Sequence, residues 1–287
     1  MKTITVVALL LVAVCLSGPA RAQEAGSPVF KLERFFAQVD WADENAPDEI
    51  RRIRPRFTVG NGRCFGRVEL DLAKTEAVNG GNGNWLEIGE LVCNTGANSQ
   101  VRMGRLFLNH STPPPFLLRT VEYAGALPFK AFAYGVQWQA KRGEWWLSAD
   151  LTGDSGLDFD DARFTRLEGG LRVTRATEVG TFGLTGQVSD EFVRAGLDYN
   201  TDPSKDLGAW LGLYYNDHAP ARQVTGLALV SYQLVPRLRP HLMYDWRPAG
   251  NEEVTAGAEL QATDRVRLVG DYEVESGRFL LRTQFKF

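Results

Sequence analysis

The sequence is poor in the residues that build metal centres and imidazole chemistry, with three cysteines and three histidines among 287 residues. No Cys or His spacing completes a four-ligand zinc site, so neither a structural metal nor a cofactor is expected. One long apolar run is present, Val6 to Leu16, at the start of the chain. Nothing after it approaches the roughly twenty apolar residues that a membrane-spanning helix needs, which excludes a helical membrane protein. An excess of either charge is also missing: 32 basic and 35 acidic side chains leave a net charge of −3. A global basic field that would attract nucleic acid is therefore absent. Imidazole bases are limited to His110, His218 and His241, and His110 beside Ser111 is adjacency in sequence, not a catalytic geometry. No enzyme is expected.

The first 22 residues follow the three-part pattern of a secretory signal. Lys2 supplies the positive start, Val6 to Leu16 the apolar run, and Gly18 and Pro19 break it before Ala20-Arg21-Ala22. Cleavage is expected after Ala22, leaving residues 23–287 as one domain. Lipidation at Cys15 is disfavoured because Val14 stands where a small residue is wanted. Cys64 and Cys93 remain after processing, and an oxidising compartment invites a disulfide between them. The other reading makes them two unpaired small apolar residues.

What is abundant points to strands: 29 glycines, 8 tyrosines and 7 tryptophans suit tight turns and aromatic girdles. From about residue 132 onward, segments of roughly ten residues alternate apolar and polar side chains, separated by Gly, Asp, Asn or Pro. In the last segment Phe279, Leu281, Thr283, Phe285 and Phe287 fall on one side, and Leu280, Arg282, Gln284 and Lys286 on the other. Such two-faced strands predict an all-β fold, a transmembrane antiparallel up-and-down β-barrel of about sixteen strands, with fourteen as the alternative. A soluble sandwich would alternate too. Here nothing is left over to cover so many apolar faces except lipid. The least regular segment is 84–94, where Leu86-Glu87-Ile88-Gly89-Glu90-Leu91 alternates only in part.

Residues 109–131 form one long connection with a triple proline, which cannot be a central strand. Its apolar residues, Phe116, Leu117, Leu118 and Phe129, predict a loop folded onto something rather than held in solvent. Upstream, Arg52, Arg54 and Arg56 alternate with Ile53, Pro55 and Phe57. If Ile53 and Phe57 meet lipid, the arginines form a row facing the lumen at intervals of roughly 6–7 Å, which would favour anions. The alternative pairs them with Glu69, Asp71 and Glu87. Arg67 follows the row after the Asn61-Gly62 turn, and Arg102, Arg166, Arg172, Arg194, Arg239, Arg267, Arg282 and Lys286 are further expected lumen cations, balanced by Asp150, Glu168, Asp198, Asp245, Glu259, Asp271 and Glu273.

Val101-Arg102-Met103-Gly104-Arg105-Leu106, then Pro113-Pro114-Pro115-Phe116 and Arg119, then Tyr134-Gly135-Val136-Gln137, resembles a strand, an inward-folded third loop and the following strand of the phosphate-selective porin O and P family. The run Arg51-Arg52-Ile53-Arg54-Pro55-Arg56 and the following Arg67-Val68-Glu69-Leu70-Asp71-Leu72 are similar to that family's early hairpin. The resemblance covers roughly residues 30–140. It implies a sixteen-stranded barrel, usually trimeric, with a pore narrowed by the third loop and basic residues that conduct anions. Within the loop it points to Arg119 and Lys130. A dense Lys or Arg cluster is missing from that loop, which leaves phosphate specificity without a carrier.

The expected function is passive diffusion of small hydrophilic solutes, anions favoured and phosphate or other oxyanions among them, through an outer-membrane porin. Arg52, Arg54, Arg56, Arg67, Arg102, Arg119 and Lys130 are the expected pore-lining residues. Expected partners are these solutes, outer-membrane lipid and lipopolysaccharide, the barrel-assembly machinery and two further copies of the chain in a homotrimer; no nucleic acid is expected. The alternative function is a non-conducting structural or adhesive barrel.

Overall fold

A computed structural model describes residues 30–41, 49–60, 62–72, 86–108, 110, 129, 132–153, 167–201, 205–217, 223–246 and 252–286. The expected signal sequence, Phe287, Arg119, Lys130 and Arg166 lie outside them.

In chain order the strands are β1 Phe30–Trp41, β2 Glu49–Val59, β3 Cys64–Leu70, β4 Leu86–Gly96, β5 Ser99–Phe107, β6 Phe132–Arg142, β7 Trp145–Gly153 and β8 Leu167–Ala176. They continue as β9 Thr181–Val188, β10 Val193–Asn200, β11 Leu207–Asn216, β12 Gln223–Tyr232, β13 Leu238–Trp246, β14 Glu253–Thr263, β15 Val266–Glu273 and β16 Arg278–Lys286. Each pairs antiparallel with its neighbours in sequence, and β1 pairs with β16, so sixteen strands close one barrel. Closure leaves no strand of the ring with an unpaired edge. Of the two counts predicted, sixteen and not fourteen is found.

The alternation places apolar side chains outside and polar ones inside. On β9, Phe182, Leu184 and Val188 are exposed while Gly183, Thr185 and Gln187 are buried. The same inversion recurs around the ring: Leu171, Leu197, Leu211, Leu242 and Phe279 are each at least 46% exposed, whereas Asp71, Glu69, Arg172, Asp198, Asp245 and Asp271 are at most 2% exposed. Among the described residues no second sheet packs on the outer face, which a sandwich would require.

At one end the connections are short, as at 97–98, 143–144 and 264–265; the opposite end carries the long ones, 73–85, 109–131 and 154–166. The first and last described strands begin and end at the short-turn end. The partial alternation of 86–91 has a local cause: the pairing steps from Glu69↔Ile88 to Leu70↔Leu86, leaving Glu87 as an extra residue in a bulge. Cys64 and Cys93 are direct partners in the β3–β4 ladder and are joined by a disulfide near the short-turn end, with Cα atoms 4.1 Å apart.

Candidate functional site

The lumen wall formed by β1 to β5 is ionic. Arg52, Arg54 and Arg56 share the inward face with Gln38 and Glu69, because β2 pairs Arg52 with Gln38 and Arg56 with Glu69. Arg54 donates from Nε to Asp71 at 2.9 Å and from Nη2 to Glu87 at 3.1 Å. Glu69 accepts from Arg34 Nη2 and Arg56 Nε, each at 2.6 Å. Glu90 takes Arg67 Nη1 at 2.8 Å on one oxygen and Arg102 Nη2 at 2.6 Å on the other. Arg102 also donates to the Gln137 side-chain oxygen at 2.8 Å. Arg52 lies within electrostatic reach of Arg54, Asp71, Glu87 and Arg282. The row therefore does not stand alone, and the carboxylates anticipated as its alternative partners neutralise much of it.

Opposite this wall, both described residues of the long connection sit inside the barrel. His110, 1% exposed, places Nε2 2.7 Å from Asp150 Oδ2 on β7. Its carbonyl oxygen accepts from Arg172 Nη1 on β8 at 3.1 Å and from Thr185 Oγ1 on β9 at 2.6 Å. Arg172 is held in turn by Asp198 on β10 through two contacts, of 2.7 and 2.8 Å. Phe129, at the other end of the connection, meets the His110 ring edge-on at 5.7 Å between centroids and Tyr214 of β11 at 5.9 Å. Polar contacts thus fix one root of the loop and aromatic contacts the other.

Glycines make these transverse ties possible. Asp150 and Gly170 are ladder partners, and a Cβ on Gly170 would stand 2.6 Å from both Asp150 carboxylate oxygens and 2.7 Å from His110 Nε2. The Arg172–Asp198 pair crosses β9 above Gly183, where a Cβ would come 2.7 Å from Asp198 Oδ1. In one continuous row, His241 of β13, Gly257 of β14 and Asp271 of β15 lie side by side, with His241 Nε2 2.8 Å from Asp271 Oδ1 across the glycine.

Sequence reasoning misses three features. It offers His110 only as one of three imidazole bases, not as an anchor. An apolar inward patch of Trp210, Tyr214, Leu227, Leu229, Met243 and Val269, with Phe129 packed against it, interrupts the polar lumen on β11, β12, β13 and β15. Its signal is present: Leu227 and Leu229 occupy the inward parity of β12, beside Thr225 and Ser231. Arg105 takes the outward parity of β5 in register with Tyr134, donates to the Glu87 carbonyl at 3.1 Å, and lies over the rings of Phe132 and Tyr134 at 5.7 and 5.6 Å.

Replacing His110 by Ala is expected to leave the Asp150 carboxylate buried without its imidazole and to remove one of the two faces that hold Phe129. A loss of about 1–3 kcal/mol should appear as a lower urea midpoint, with faster proteolysis within 109–131. Unchanged values of both would show that His110 does not fasten the loop.

No family model matches the chain, and no curated relative matches it. Solved structures do. OmpT, an outer membrane protein of Vibrio cholerae, is similar as its loop L8 deletion mutant at 12% identity and TM-score 0.65, covering 92% of this chain and 100% of that one. The in-vitro folded trimer form of the same protein gives 13% identity, TM-score 0.59 and coverage of 92% and 100%. Salmonella typhi OmpF, in complex with daunomycin, gives 11%, TM-score 0.60 and coverage of 91% and 97%. A mutant of Rh. blastica porin gives 12%, TM-score 0.56 and coverage of 90% and 100%. The likeness spans nearly the whole of each chain, and the fold of this protein is that of the closed outer-membrane porin barrels.

Proposed function

We propose that this chain is an outer-membrane porin through which small hydrophilic solutes diffuse passively, with a modest preference for anions. The observation that carries the reading is the inverted barrel itself: an outer face that suits hydrocarbon, an inner face of Arg, Asp, Glu and Gln, and a long connection rooted inside it at His110 and Phe129. Solutes would pass between that loop and the ionic wall of β1 to β5, where arginine and carboxylate alternate. Such a wall wets the path and slows ions of either sign, so any preference is expected to be weaker than an unpaired arginine row would give. Arg119 and Lys130 belong to this reading as loop cations. So do export by the signal sequence, assembly by the barrel-assembly machinery, contact with lipopolysaccharide and a homotrimeric state. Phosphate selectivity has no carrier in the paired arginines.

Planar-bilayer recording of the purified protein tests it. Stepwise conductance is expected, with a reversal potential in a KCl gradient slightly to the anion side; silence in every salt would remove the porin reading. A second reading, a non-conducting structural barrel, is favoured by the depth of burial of the inward side chains and by the apolar patch under Phe129. It predicts that silence.

A further inference from the structure

The short-turn rim carries an outward row of two arginines and a tryptophan. Arg142 at the end of β6 pairs with Trp145 at the start of β7, and Trp145 pairs with Arg175 at the end of β8. All three have outward parity, since Gln139, Ser148 and Arg172 face the lumen. The Arg175 guanidinium lies over the Trp145 ring at 5.3 Å, so it leans toward the middle of the row. The site is open: Trp145 is 45% exposed and the Arg175 side chain 53%. Glu144 in the adjoining turn is the competing anion, 3.7 Å from Arg175 Nε and itself 64% exposed. An ion pair so open to water is weak. Among the described residues no carboxylate is paired with Arg142. Farther round, the row continues through Phe182 and Tyr199, aromatic and without a cation. Toward the barrel middle the next row is Ala140, Leu147 and Val173, then Trp138, Ala149 and Leu171, all apolar.

We infer that Arg142, Trp145 and Arg175 form a headgroup site for an anionic glycerophospholipid, whose acyl chains lie along the apolar rows beside it. Charge complementarity selects the occupant. Two guanidiniums, separated by two strand spacings of about 4.8 Å each, flank an amphipathic ring at the level where hydrocarbon gives way to water. Guanidinium binds phosphate oxygens through paired N–H groups, and Trp145 is held by Arg175 where it would cover the glycerol. The inference rests on the membrane reading above, and its test separates the two.

The full chain in detergent, its folding checked by heat-modifiable migration, is titrated with phosphatidylglycerol and with phosphatidylcholine, and bound lipid is counted by native mass spectrometry. Selective retention of phosphatidylglycerol is expected, about tenfold weaker in an Arg142→Gln/Arg175→Gln variant and unaltered in Arg237→Gln, a cation of another short turn. Equal retention by the double variant and the parent overturns the site. So does complete displacement of the lipid by millimolar inorganic phosphate, or retention of lipopolysaccharide with no phosphatidylglycerol. Should the double variant fail to fold, Arg175→Lys decides: it keeps the charge but loses the planar stack, so weaker retention is expected and unchanged retention counts against the site. Flotation with liposomes reads the membrane claim independently. A chain that never floats sinks that claim, whereas a floating chain indifferent to both substitutions sinks the headgroup site alone.

Discussion

Replacing Arg54 by Ala is expected to move the reversal potential in a KCl gradient toward cations and to lower the stability of the barrel by about 3–5 kcal/mol. The guanidinium stands between two carboxylates, Asp71 just past the end of β3 at 2.9 Å and Glu87 of β4 at 3.1 Å, with Glu69 at 4.0 Å from its other nitrogen. The side chains of all three acids are at most 2% exposed. Removing the cation takes from the buried Asp71 and Glu87 the guanidinium that bonds both of them, which costs more than the pair itself contributes. Glu69 fares better, because Arg34 and Arg56 still hold it. The sign of the selectivity change follows from the same count: one positive charge is lost from the wall and none of the acids leaves with it. Arg54→Lys should recover the selectivity but only part of the stability, since an ammonium cannot reach Asp71 and Glu87 with a planar fork. Refolding from urea into lipid vesicles measures one quantity and bilayer recording the other. An Arg54→Ala protein with parental midpoint and parental reversal potential would mean that the acids are protonated or hydrated, and that the ionic wall is not a wall of charge.

The barrel is legible in the sequence because a strand with one apolar and one polar face must alternate, and alternation survives in the order of residues even where pairing partners are unknown. Phe182, Leu184 and Val188 against Gly183, Thr185 and Gln187 is a period of two that no helix would show. The segment at 84–94 is the exception because a bulge spends one residue, Glu87, without advancing the register, and a glutamate at that place does not mark the bulge as a glycine would. Once strands are assigned on either side of 73–85, Cys64 and Cys93 fall at the same end of two neighbouring strands, where the register pairs them. The site is less legible. Alternation assigns Arg52, Arg54 and Arg56 to one shared face, but their neutralisation depends on which acids the register sets opposite them. Contacts that cross an intervening strand, such as Arg172 to Asp198 and His241 to Asp271, depend on two successive registers. The root at His110 depends on where a loop turns back into the lumen, which periodicity does not describe.

That same dependence on successive registers makes Gly257→Ala the second large effect, an expected loss of about 3 kcal/mol or more, while Gly186→Ala is expected to stay within about 0.5 kcal/mol of the parent. A Cβ on Gly257 would lie 2.5 Å from His241 Nε2 and 2.5 Å from the Gly270 carbonyl oxygen, and against Asp271 Oδ1 as well. Side chains can retreat, but the Gly270 carbonyl belongs to the β14–β15 ladder and cannot move without breaking it. Retreat also has a cost, because His241 and Asp271 lie on either side of the glycine and are both buried, so parting them strands a carboxylate. At Gly186 a Cβ would meet nothing within 4 Å, and the residue lies on the exposed outer face between Leu184 and Val188. The two substitutions change the same chemical group in the same kind of strand, so a difference between them isolates the crossing pair from any general intolerance of alanine. Coupling supplies the sharper test. In a His241→Ala background one of the three close approaches is gone, and Gly257→Ala should then cost less than in the parent. Strictly additive losses would show that the Gly270 carbonyl and the Asp271 carboxylate set the penalty without His241, and that the His241–Asp271 tie contributes nothing to the need for glycine.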